Sequence, residues 1–69
     1  MPQPRKLIFH FTNGTTLATA ENLPVRRLFR DLSTREVVAS TVRSGDRLVV
    51  EDGPAEGRVV EWIEWSEEP

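Results

Sequence analysis

The chain has no cysteine, no tyrosine, a single histidine and a single lysine, and it lacks any long apolar run. Each scarcity excludes something. Without cysteine there is no disulfide and no thiolate metal site, and the composition suits a reducing compartment. With one histidine, a zinc site would need carboxylates for its other ligands, and no spacing gathers them, so neither metal nor cofactor is expected. No segment approaches the ~20 apolar residues of a membrane span. Met1-Pro2-Gln3-Pro4-Arg5-Lys6 is not followed by the apolar stretch of a secretory signal. The expectation is a cytoplasmic protein without membrane contact.

What is present is a sorted charge pattern. Residues 1–35 carry six cations against two carboxylates, a net +4, and residues 36–69 carry three against nine, a net −6. The overall −2 therefore conceals a basic half and an acidic half. Such a chain can steer a charged partner, or pair with a second copy of itself. Arginine outnumbers lysine eight to one. A GC-rich genome produces that bias, and so would selection for bidentate contacts to phosphate or carboxylate.

At 69 residues the chain reads as one small domain spanning 1–69, with 1–4 and 66–69 as loose ends. Residues 5–12 read as a strand. Asn13-Gly14 is a hairpin signal of type I′, which would set Phe9 opposite Ala18 and make Leu7, Phe9, Phe11, Ala18 and Ala20 one core face. Asn22-Leu23-Pro24 reads as a helix start, and Val25, Leu28, Phe29 and Leu32 fall at i, i+3, i+4 and i+7 of a helical stripe. Arg26, Arg27 and Arg30 would then share the outer helix face. Strands are expected at 36–42, 47–51 and 58–65, with a turn at Ser44-Gly45 setting Arg43 against Asp46, and a loop at 52–57. The expected fold is α+β: a small antiparallel five-stranded sheet or SH3-like barrel with one short helix, in the order β-β-α-β-β-β.

Candidate chemistry is sparse. His10 has no serine, cysteine or second carboxylate at a motif spacing, so no catalytic role is assigned and no enzyme is expected. Glu61, Glu64, Glu67 and Glu68 line the last strand and its tail, an acidic edge that could also imitate a phosphate backbone. Trp62 and Trp65 are three apart and so point to opposite faces of a regular strand, Trp65 with Val59 and Ile63, Trp62 with Val60. One tryptophan can complete the core and the other can anchor a partner, because tryptophan is enriched at interface hot spots.

The stretch Ser44-Gly45-Asp46-Arg47-Leu48-Val49-Val50, continuing through Gly53-Pro54 to Arg58-Val59-Val60-Glu61, resembles the KOW element of SH3-like barrels in transcription-elongation and ribosomal proteins. The resemblance covers about a quarter of the chain, and the loop is acidic where RNA-associated members tend to be basic. It implies a small curved sheet.

The functional expectation is a non-catalytic protein-binding module, a small regulatory or inhibitory accessory protein of bacterial or phage type. It would dock on a larger protein or nucleoprotein through Glu61, Trp62, Glu64, Trp65 and Glu67, with Arg26, Arg27 and Arg30 as a secondary basic contact. The alternative is a nucleic-acid-binding SH3-like domain that uses the arginine face. A homodimer is also open.

Overall fold

A computed structural model describes residues 3–66. Glu67 and Glu68 therefore lie outside the described residues. The described chain forms β1 (Lys6–Phe11), β2 (Thr16–Ala20), β3 (Pro24–Leu28), β4 (Thr34–Val38), a 3₁₀ turn (Ala39–Thr41), β5 (Arg47–Leu48) and β6 (Arg58–Ser66). All strand pairs are antiparallel, in the order β2-β1-β6-β5-β3-β4. The fold is a six-stranded antiparallel sheet with almost no helix, where five strands and a helix were expected.

The helix is the main correction. Residues 24–28 are strand, and 29–33 are the loop that leads into β4. The stripe Val25, Leu28, Phe29, Leu32 imitates a helical period only because it runs across a strand end and a turn. In the strand, Val25 and Arg27 face inward while Arg26 faces out beside Glu36. A helix of two or three turns is marginal by itself. As a strand, the same residues bond to β4 along one edge and to β5 along the other. Pro24 sits at the first strand position, where its missing N–H does no harm.

The first hairpin is real but slipped by one residue. The Phe11 N–H donates to Thr15 C=O at 2.9 Å, and the Gly14 N–H donates to Phe11 C=O at 3.0 Å. The loop is thus Thr12-Asn13-Gly14, a tight turn followed by Gly14 at φ 89°. Asn13 Oδ1 accepts from the Thr15 backbone N–H (3.1 Å) and from Thr15 Oγ1 (2.6 Å), which fixes the three-residue form over type I′. A one-residue slip turns a strand over. Phe9 therefore faces Leu17, which packs on the core, and Ala18 turns to the outer face.

A bulge in β6 makes a second such change. His10 pairs with Trp62 but Phe11 pairs with Val60, so Glu61 is the extra residue. Val60 is thereby buried on the same side as Ile63 and Trp65, not beside Trp62. β6 is the longest strand. Its first residues pair with β5 and the rest with β1, so it joins the two halves of the sheet. The sheet rolls around one core of Leu7, Phe9, Phe11, Ala39, Val42, Leu48 and Val60. β4 stops at Val38, earlier than expected, because the 3₁₀ turn carries Ala39 into that core and leads on to Val42. β5 is only two residues long. Asp46 accepts from the Arg43 backbone N–H, but its ion-pair partner is Arg27 at 3.1 Å, not the Arg43 side chain. Ser66 closes β6 opposite Lys6, where a loose tail was expected to begin.

Candidate functional site

The register of β1 against β6 builds an outward-facing tile. Ile8 and His10 alternate with the buried Leu7, Phe9 and Phe11, so they face outward. Ile8 lies opposite Glu64, and His10 opposite Trp62. The imidazole stacks flat on the Trp62 indole, with ring centroids 3.9 Å apart and planes 6° from parallel. His10 Nε2 meets Glu64 Oε1 at 2.9 Å. Trp62 remains 49% exposed even so. The imidazole covers one face of the indole, and Glu64 holds that imidazole in place.

Trp65 lies on the other side of the strand, opposite Leu7 and at the rim of the core, where it is 41% exposed. The Arg5 guanidinium lies 4.2 Å over its ring, and Arg5 Nε pairs with Glu21 Oε2 at 3.1 Å. Neither tryptophan completes the core, which Phe9, Phe11 and five smaller apolar residues fill. Glu61 is exposed at the bulge. The acidic strand therefore presents Trp62 and Glu64 on one face and Trp65 on the other, with Glu61 between. The structure brings His10 and Ile8 to Trp62 and Glu64, a grouping that the sequence gives no sign of, because β1 and β6 lie at opposite ends of the chain. Glu67 lies outside the described residues.

The basic residues do not form one face. Arg27 is committed to Asp46 and stacks on Phe29 at 4.5 Å. Arg26 faces outward and Arg30 sits in the β3–β4 loop. An open concavity of about 1050 Å³ lies beside that loop. Its wall carries Arg27, Arg30, Arg35 and Arg47 against Asp31, Asp46 and Glu56, so it offers no field of one sign to a polyanion. Among the described residues no group of three or more histidines and carboxylates is placed to hold a metal ion.

Comparison with known protein families, with curated proteins and with solved structures finds no match. Among the described residues no helix is long and apolar enough to cross a membrane.

Proposed function

We propose that this chain is a non-catalytic protein-binding module, a small regulatory or inhibitory accessory protein. It docks on a larger protein or nucleoprotein through the Trp62 tile and the acidic strand that carries it. The observation that supports this reading is the half-exposed indole of Trp62, braced flat against His10, with Glu64 tied to that same imidazole. A rigid, pre-oriented tryptophan adds contact area at little entropic cost on binding. Glu61 and Glu64 surround it with negative charge that would steer a basic surface toward it. The rolled antiparallel sheet, in which β5 runs back against β6, supports an SH3-like reading of residues 44–61.

The test is comparative capture from host extract followed by purified-component binding. Wild type is compared with Trp62→Ala and with the pair Glu61→Lys plus Glu64→Lys. The glutamate pair lies on exposed charges and should move the melt by only a few degrees, whereas Trp62→Ala also loses the His10 stack and half-buried indole area and is compared as a folded protein by circular dichroism. Binding to the captured partner should weaken tenfold or more, about 1.4 kcal/mol. The control reverses Arg26 and Arg30 to glutamate and spares Arg27, whose loss would strand Asp46. Binding lost in that control and kept in the Trp62 and glutamate variants would overturn the proposal. It would favour contact with nucleic acid through arginine, which a steep salt dependence would expose.

A further inference from the structure

Among the described residues the sheet has two unpaired edge strands, and they are not alike. β4 ends one side with Thr-Arg-Glu-Val-Val, and β2 ends the other with Thr-Leu-Ala-Thr-Ala. Natural edges are protected by charge or proline, because unpaired N–H and C=O groups template another strand. β2 has neither charge nor proline along its five residues.

The ladder parity shows which groups are free. The Phe11 N–H bonds Thr15, and the Glu21 N–H bonds Arg5. With the register Phe9↔Leu17 and Leu7↔Thr19, the odd residues of β2 bond inward to β1. Thr16, Ala18 and Ala20 therefore turn their backbone groups to the open edge. Of these, only the Ala20 C=O has a partner among the described residues, the Leu23 N–H at 3.1 Å. A concavity of about 260 Å³ separates Leu17, Ala18 and Thr19 from Pro24–Arg26 and Val49–Glu51 of the same chain, so these segments do not bond to this edge.

We infer that β2 pairs antiparallel with β2 of a second copy of this chain, about a two-fold axis through Ala18. In that register Ala18 meets Ala18 of the second copy and Thr16 meets Ala20. All are residues with outward backbone groups, and with the Ala20 C=O already taken by Leu23 the free groups can form about four backbone hydrogen bonds. The side chains that meet are small or uncharged. At the ends, Thr15 falls opposite Glu21 of the second copy. Glu21 keeps its own partner, Arg5 Nε at 3.1 Å, and no like charges meet at the ends of the seam. The β4 edge cannot pair in the same way. Its central outward residue is Glu36, so a two-fold there would set two carboxylates face to face.

Sedimentation velocity over a concentration series tests this with the full chain. Wild type should show a reversible monomer–dimer equilibrium. Ala18→Pro removes the outward N–H at the axis, a change an edge strand tolerates, and Ala18→Lys sets like charges across it. Each should weaken the dimer by about tenfold or more, and Glu36→Pro on the other edge should leave it unchanged. Ala18→Glu should also weaken self-association, but mixed with Ala18→Lys it should form a heterodimer, a rescue that a misfolded variant cannot give. A wild type that stays monomeric at every concentration, a dimer indifferent to the Ala18 variants, or a Lys/Glu mixture that stays monomeric would each overturn the inference.

Discussion

The two hairpin tips share one backbone plan and differ most sharply at the left-handed position. In the β1–β2 tip the Phe11 N–H donates to Thr15 and the Gly14 N–H to Phe11. In the β3–β4 tip the Phe29 N–H donates to Ser33 and the Leu32 N–H to Phe29. Asn13 accepts from the backbone and hydroxyl of Thr15, and Asp31 accepts from the backbone and hydroxyl of Ser33. The left-handed position is Gly14 in the first tip, at φ 89°, and Leu32 in the second, at φ 69° and 79% exposed. One tip uses the residue its backbone wants, and the other forces a large apolar side chain into a conformation that costs about 1–2 kcal/mol. The same backbone can thus be specified by an easily read signal or imposed by the pairing on either side of it.

The leading phenylalanines separate the tips most. Phe11 is 1% exposed in the core, whereas Phe29 is half-buried, with the guanidinium groups of Arg27 and Arg35 at 4.5 and 5.0 Å from its ring centre. Phe11→Ala should cost about 3–5 kcal/mol and unfold so small a domain. Phe29→Ala should cost about 1–2 kcal/mol, since it loses partial burial and exposed cation–π contacts. Urea denaturation of both variants measures this, and equal costs would erase the distinction.

Next in size is the left-handed position itself. Gly14→Val puts a β-branched residue at positive φ and should lower stability by more than about 1 kcal/mol, although open space surrounds the site. Leu32→Gly should raise it by up to about 1 kcal/mol, because little burial is lost and the strain is relieved. Matched thermal melts check both signs. If Leu32→Gly destabilises, the leucine makes contacts that outweigh its backbone.

The smallest expected effect is in acid. The Ser33 hydroxyl, and then the Ser33 backbone N–H, hold the Asp31 carboxyl below its ordinary 3.8. A lowered folded-state pKa gives stability that is present above the unfolded value and lost as pH falls through the folded one. The β3–β4 tip should therefore loosen below about pH 4, and the β1–β2 tip, closed by the uncharged Asn13, should not. Asp31→Asn should flatten that acid response and Asn13→Asp should introduce one, both visible in amide exchange at Ser33 and Thr15.

The same comparison explains what could be read from the residues. Asn13-Gly14 locates a turn, but its length depended on the Asn13 side chain finding Thr15. Arg30-Asp31-Leu32 carries no glycine, so the second tip was hidden, and Val25, Leu28, Phe29 and Leu32 looked like a helix. Strand positions 5–12 and 58–65 were legible from alternation. The Glu61 bulge was not, since it is a shift of register between β1 and β6, two segments far apart in the sequence. Trp62 and Glu64 stood out as large and charged groups on one strand. Their alliance with His10, and that of Trp65 with Arg5, depended on a register between distant segments, and local sequence does not encode it.

The junction strand has a kinetic consequence. β6 supplies the pairing for both β1 and β5, yet it is the last described strand to be synthesised. Until residues 58–66 emerge from the ribosome, β1 offers Ile-Phe-His-Phe along an open edge and the core has no Val60. Pairing between such remote segments makes for slow, high-contact-order folding. β1 therefore gains its second neighbour only when β6 is made, and β6 then completes the described sheet.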